Sequence, residues 1–270
     1  QVWERRGGGH ALTTERFVKT ADDAAALLEY QQSLRLVPAT GEARAYIRGI
    51  ARQAGDRGAL FCRSAGTPLS QMYRVLSELP DLIFLIHDHP RLMEDLFVCM
   101  EQRNLERFEH ILEVAPEIDA CFGLDDTSTN LISPAMFERY NVDIINRRAD
   151  LFHAHDRLYL HHSCGLIRDV LPLYRRTRMD GVDAFTPPPG GDVTYGEGRE
   201  LLGPGYSICT GLAHGASSLH AGKIPRHVAA RFDDARAAGN VVFSVGGGQL
   251  TYEAMRRVFD EAEKQKRSPR

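Results

Sequence analysis

Six short apolar runs alternate with helix-like segments along this chain, and that alternation constrains the fold more than any other feature. The runs lie near residues 59–64, 120–125, 158–162, 182–186, 206–210 and 240–245. Nearly every run ends in Gly, Pro, Asp, Cys or His, as is typical of parallel strands with a functional face at their carboxyl ends. The pattern therefore predicts an α/β fold with helices outside a parallel sheet.

A length of 270 residues suits a single (β/α)8 barrel, so we predict one TIM-barrel domain over residues 1–270. The barrel needs eight strands, and six are recognisable. We expect the other two before residue 1, since the chain does not begin with Met, or in the weakly patterned opening segment. An open doubly wound sheet is the alternative, although no Gly-x-Gly-x-x-Gly follows the first strand.

Composition excludes several functional classes. The formal net charge of −3 offers no large basic surface for nucleic acid, and there is no apolar run of about 18 residues to cross a membrane. Five cysteines, an odd number at scattered spacings, argue against a disulfide framework and for a reducing cytoplasm. We expect a cytoplasmic protein with a small-molecule substrate.

The segment Leu158–Gly165 carries the strongest chemical signal. Its apolar start predicts a strand, and its end, His162-Ser163-Cys164-Gly165, leads into a predicted helix from Leu166 to Tyr174. Side chains two apart on an extended chain point to the same side, so His162 and Cys164 can reach one metal ion. Zinc accepts this ligand pair. The alternative is a short chance pattern with an ordinary buried Cys.

Other strand ends supply further candidates. Arg63 is positioned to bind an acidic substrate group, or else to form a surface ion pair. Asp125 and Asp126 end another strand, and because adjacent residues point to opposite faces, only one of them is expected to face the barrel mouth. Their structural alternative is to cap the following loop.

The order of motifs resembles the uroporphyrinogen decarboxylase superfamily over roughly residues 20–265, and most closely its zinc-dependent corrinoid methyltransferases. Four segments carry the resemblance: Leu124–Phe137 with its Asp-Asp and Ser-Pro-x-x-Phe, His162–Gly165, Gly181–Asp192, and Gly246–Ala254. Each motif alone is weak, whereas their order is specific. The resemblance implies a TIM barrel and a methyltransferase that moves a methyl group between a corrinoid and a thiol.

The resemblance also implies a ligand set. His162 and Cys164 match the methyltransferase zinc ligands, but Gly247 stands where that family has a second Cys. Cys209 is the expected replacement, with a carboxylate from Asp125, Asp126 or Asp192 as the other choice. In the methionine synthases, which are more distant relatives, a Glu ends the strand after His-x-Cys. This chain has Thr186-Pro187-Pro188 in that region, so the resemblance supplies no Glu ligand here.

Roles and partners follow as expectations from the same likeness. We assign Asp125, Asp126 and Arg63 as catalytic candidates, and Asp192, Gly211 and Gly247 as substrate-binding candidates. The cofactors would be zinc and a corrinoid presented by a partner protein, with a homodimer left open. The alternatives are a uroporphyrinogen decarboxylase, which needs no metal, and a non-catalytic relative that binds a ligand or partner.

Overall fold

The structure is a computed structural model that describes residues 2–6, 10–212, 221–244 and 251–267. Its contacts divide the chain into two compact units. The first consists of Gln1–Asp125 with Leu151–Arg157, and the second of Asp126–Asp150 with Leu158–Arg270. The assignment of residues 1–270 to one domain stays a prediction.

The first unit contains an antiparallel hairpin and a parallel strand pair. The hairpin strands are β1 (Val2–Arg6) and β2 (His10–Glu15). The parallel pair is β3 (Phe61–Ser64) and β4 (Ala120–Gly123), in the register that sets Cys62 opposite Cys121. These two strands confirm the first two strands predicted from the sequence.

Five helices accompany the strands of the first unit. They are α1 (Ala21–Ser33), α2 (Gly41–Ala54), α3 (Pro68–Gln71), α4 (Leu79–Asp88) and α5 (Pro90–Val114). Helix α1 begins with a capping box, in which the Thr20 side chain accepts from the Asp23 backbone N–H and the Asp23 carboxylate accepts from the Thr20 N–H. Side-chain chemistry at the boundary therefore defines where this helix starts.

The second unit contains four parallel strands that pair in chain order. They are β5 (Leu158–His162), β6 (Gly181–Asp183), β7 (Ser207–Gly211) and β8 (Val241–Ser244). Because the strands are parallel and consecutive, their carboxyl ends lie at one edge of this sheet. That edge holds His162, Asp183 and, one residue before the end of β7, Thr210.

The described helices of the second unit are α6 (Pro134–Tyr140), α7 (Val142–His153), α8 (Leu171–Tyr174), α9 (Tyr195–Leu202), α10 (Ile224–Ala238) and α11 (Tyr252–Arg267). Two of these helices precede the first strand of the second unit, and the last residues of the second of them, 151–153, belong to the first unit. The other described helices each follow one of its strands. The predicted helix from Leu166 to Tyr174 is wrong in its first half. The N–H of Leu166 bonds to the Ser128 hydroxyl and that of Ile167 to the Asp192 carboxylate, so α8 begins only at Leu171.

The predicted α/β class, with parallel strands that alternate with helices, is confirmed. The described residues contain six parallel strands of the eight that the predicted (β/α)8 barrel requires, two in the first unit and four in the second. The core of the second unit includes a cluster of Leu212, Ile224, Val228 and Val258, with Phe243 of β8 packed against it. Burial of such side chains supplies most of the favourable free energy of folding.

Across the part of the chain that is described, every helix is too short or too polar to cross a lipid bilayer.

Candidate functional site

The carboxyl ends of β5 and β6 bring a histidine and a carboxylate together. His162 and Asp183 are register partners in neighbouring strands, and the His162 Nδ1 lies 2.8 Å from the Asp183 Oδ2. Both side chains are 23% exposed, so the pair is partly shielded from water and open at one side. Asp183 thereby fixes the orientation of the imidazole ring and leaves Nε2 for a second partner.

Cys164 is the second group that acts on His162. Burial by itself lowers the pKa of His162, but hydrogen bonds with Asp183 and Cys164 outweigh it and raise the pKa from its ordinary 6.5 to about 9. Without a metal, the ring is therefore an imidazolium at neutral pH. The prediction that His162 and Cys164 share one metal ion stays a prediction.

A buried triangle of hydroxyl groups holds the strand end between these two residues. The Ser163 Oγ lies 2.6 Å from the Thr127 Oγ1 and 2.7 Å from the Tyr174 hydroxyl, which lies 2.7 Å from Thr127. All three side chains are buried. Since Ser163 follows His162 and precedes Cys164, its fixed hydroxyl restricts the backbone that carries both.

The loop after β5 is tied to the loop after β6. The Asp192 carboxylate accepts hydrogen bonds from the backbone N–H groups of Ile167, at 2.8 Å, and Arg168, at 3.3 Å. A Cβ at Gly191 would lie 2.7 Å from the Gly165 carbonyl oxygen, so the two loops approach too closely for any side chain there. In this structure Asp192 anchors loops, and its substrate-binding role stays a prediction.

Cys209 lies in β7, one strand further along the sheet. Burial raises the pKa of its thiol to about 12, and the nearby negative charge of Asp183 acts in the same direction. The thiol is therefore protonated throughout the physiological range. Gly211, the last residue of β7, is buried and pairs with Ser244 of β8, and its substrate-binding role stays a prediction.

The candidate catalytic residues of the first unit have different surroundings. Asp125 is buried, and its Oδ1 accepts from the Thr67 N–H at 2.8 Å and the Thr67 hydroxyl at 2.7 Å. Asp125 thus holds the segment after β3 rather than the loop that follows it, and its catalytic role stays a prediction. Arg63 is exposed at the surface of β3. In the second unit, Asp126 is half-buried.

The described residues contain no group of three or more His, Cys, Asp or Glu side chains arranged to hold a metal ion. Gly247, expected at the site in place of the family's second Cys, lies outside the described residues. The clustering of Asp125 or Asp126 with His162, Cys164, Cys209 and Gly247 at one mouth stays a prediction, and so does the zinc site.

Sequence reasoning missed Asp183, Thr127 and Tyr174. Asp183 is in the segment Gly181-Val182-Asp183-Ala184, where an acid at a strand end could have been recognised as a partner for His162 in the preceding strand. Thr127 and Tyr174 carry no sequence signal, because their hydroxyls meet Ser163 only through the tertiary fold.

Comparison with known proteins adds a distant structural likeness. No protein-family model matches the chain, and no curated protein matches it either. Among solved structures, it is similar to a D-psicose 3-epimerase determined in the presence of D-fructose. That similarity has a TM-score of 0.44 and 12% identity over 90% of this chain and 84% of the other. A likeness this distant carries no argument about function.

Proposed function

We propose that this chain is a zinc-dependent methyltransferase that moves a methyl group from a corrinoid to a thiol acceptor. The observation that carries the proposal is that His162 contacts both Asp183 and Cys164 at the carboxyl ends of β5 and β6. Histidines that bind metals commonly donate their other ring N–H to a carboxylate, which fixes the tautomer and raises the basicity of the ligand.

The residues present fit two positions of a zinc site. His162 would bind through Nε2, since Nδ1 is held by Asp183, and Cys164 would bind as a thiolate. Cys209 stays the predicted third ligand, although its raised pKa means that binding must displace a tightly held proton.

Zinc bound here would lower the pKa of an acceptor thiol, so that the acceptor attacks as a thiolate at neutral pH. The chain's own residues do the positioning. Asp183 holds the proton on Nδ1 of His162, and Ser163, fixed by Thr127 and Tyr174, sets the spacing between His162 and Cys164. A corrinoid-binding partner protein belongs to the proposal on the strength of the resemblance. The proposed cytoplasmic location rests on the cysteine usage, and a homodimer is left open.

A second candidate is a metal-independent enzyme with Cys164 as its nucleophile. A thiol, an imidazole and a carboxylate in sequence are the arrangement that cysteine-dependent transferases and hydrolases use. The contacts of His162 with both Asp183 and Cys164 favour it, because a catalytic cysteine needs a histidine beside it and a third group that orients the histidine. The decarboxylase and the non-catalytic relative stay predictions without a supporting contact at this site.

The test of the first proposal is metal content together with methyl transfer. Protein purified without added zinc should contain zinc, and it should transfer a methyl group from methylcobalamin to a small thiol. Cys164→Ser should lose both properties, and Cys99→Ser, which alters a half-buried thiol in α5, should keep both. A parent protein that binds no zinc even when zinc is supplied contradicts the proposal.

Alkylation separates the two candidates. If zinc holds Cys164, iodoacetamide should label it slowly until a chelator is added, and then quickly. If Cys164 is a metal-independent nucleophile, the labelling should be fast at the start and unaffected by the chelator. The rate for Cys99 provides the reference in the same digest.

A further inference from the structure

Two cysteines lie side by side in the parallel strand pair of the first unit. Cys62 in β3 and Cys121 in β4 are direct register partners in parallel strands. Paired strands are spaced about 4.8 Å apart, and side chains at paired positions point to the same face. Disulfide-bonded cysteines have Cα atoms about 4.4–6.8 Å apart, so this register is compatible with a bond between the two sulfur atoms.

The surroundings give the two thiols different roles. Cys121 is fully buried, whereas Cys62 is half-buried and packs against the apolar cluster of Val114, Ala115 and Ile118. A hydrogen bond from Cys121 lowers the pKa of Cys62 and outweighs the opposing effect of burial. Cys62 is therefore the more accessible thiol and the one whose thiolate is stabilised, as an attacking cysteine requires.

We propose that Cys62 and Cys121 are a redox-sensitive pair that forms a reversible disulfide when the protein meets a peroxide. The Cys62 thiolate attacks one oxygen of hydrogen peroxide, the O–O bond breaks, and hydroxide leaves with the formation of a sulfenic acid. Cys121 then attacks the Cys62 sulfur, the S–S bond forms, and the S–O bond breaks. The hydroxide that leaves the peroxide takes the proton that Cys62 released, and the hydroxide that leaves the Cys62 sulfur takes the proton of Cys121. Two water molecules result.

The electron balance closes with the peroxide alone. The two thiols lose two electrons and two protons, and one hydrogen peroxide is reduced to two water molecules. Exchange with a small dithiol reverses the bond, because a thiolate attacks either sulfur through a mixed disulfide.

Tryptic mapping tests the pair directly. Cleavage releases Cys62 in the peptide 58–63 and Cys121 in the peptide 108–139, so a disulfide joins two peptides that are otherwise separate. Folded protein treated with hydrogen peroxide should give this linked pair, with the loss of two hydrogen atoms. Dithiothreitol should restore the separate peptides.

Single-residue variants show which cysteine attacks the peroxide and which one then forms the disulfide. Cys62→Ser and Cys121→Ala should abolish the linked peptides, and Cys99→Ser should form them as the parent does. In the Cys121→Ala variant, Cys62 should stop at sulfenic acid, which a dimedone reagent traps; this result does not depend on the stability of the Cys62→Ser variant. The proposal is overturned if oxidised folded protein shows no linked pair, or if the pair forms only after the chain is denatured.

Discussion

His162 at the end of β5 and Cys209 in β7 both lie near Asp183, yet its carboxylate affects them in opposite ways. It stabilises the positive charge of His162 and contributes to a pKa of about 9. The same negative charge disfavours a thiolate at Cys209 and adds to the burial that raises its pKa to about 12. One carboxylate thus favours a charged imidazole and a neutral thiol.

The difference between the two regions shows that the neighbours of a strand-end residue decide its chemistry. Cys164 has a histidine partner with which it can share a metal, whereas burial and the negative charge of Asp183 oppose a thiolate at Cys209. The sequence proposed Cys164 as a zinc ligand from its spacing to His162, and Cys209 as the replacement for the family's second Cys. The predictions below test this contrast, from the largest expected effect to the smallest.

The free energy of unfolding of the metal-free protein should fall in two separate pH ranges. His162 has a folded-state pKa above its ordinary 6.5, so its contribution is fully present below pH 6.5 and is lost as pH rises through about 9. The expected loss is about 2–3 kcal/mol. Cys209, raised from 9.0 to about 12, should cause a further loss above pH 9. Urea unfolding across this range, with a chelator present, measures both.

Two variants show which residue causes the loss of stability in each pH range. His162→Gln should remove the loss between pH 6.5 and 9 and keep the later one, and Cys209→Ser should do the reverse. A parent protein of constant stability from pH 6.5 to 9 would contradict the interaction assigned to His162 and Asp183.

Asp183→Asn should lower the pKa of both residues. His162 loses the charge that stabilises its imidazolium, and Cys209 loses a charge that opposes its thiolate. Zinc affinity should fall about 10- to 100-fold, as for other carboxylates that orient a metal-binding histidine. NMR titration of the His162 ring and of a labelled Cys209 follows the pKa values, and a competing chelator gives the affinity.

Asp180→Asn is the matched control for that variant. Asp180 precedes β6, and its carboxylate accepts from the Tyr159 N–H at the opposite ends of the same two strands. Its replacement should leave the His162 pKa and the zinc affinity close to those of the parent. A shift as large as that of Asp183→Asn would mean that the effect reflects general damage to the strand pair.

Thr127→Val should give the smallest of these effects, about 1 kcal/mol of stability, because it removes one hydroxyl from the buried triangle with Ser163 and Tyr174. Thr127→Ser retains the hydroxyl and should keep the triangle. If the triangle also positions the site, Thr127→Val should weaken zinc binding, and Thr127→Ser should restore it. Thermal melting and zinc titration of both variants provide the comparison.

The fold was largely predictable from the sequence because its signals are local. Apolar runs that end in turn-forming residues located the six parallel strands of the described residues. The first half of the predicted helix from Leu166 to Tyr174 was wrong because Ser128 and Asp192, distant in sequence, bind its backbone N–H groups.

The candidate site was predictable only in part for the same reason. His162 and Cys164 share a strand end, so their spacing revealed them, whereas Asp183 reaches His162 through strand register. Asp125 and Asp192 looked alike as strand-end or loop acids. Their partners, Thr67 for one and the backbone after Gly165 for the other, depend on how the loops pack.

The most direct test of the central contrast is the zinc affinity of Cys164→Ser and Cys209→Ser beside that of the parent. We predict at least a 100-fold loss for Cys164→Ser, since one of the two best-supported ligands is removed. For Cys209→Ser we predict a smaller loss, because the proton that burial and Asp183 hold on this thiol must be displaced before it can bind zinc as the third ligand. Equal losses in the two variants, or a larger loss for Cys209→Ser, would contradict this account.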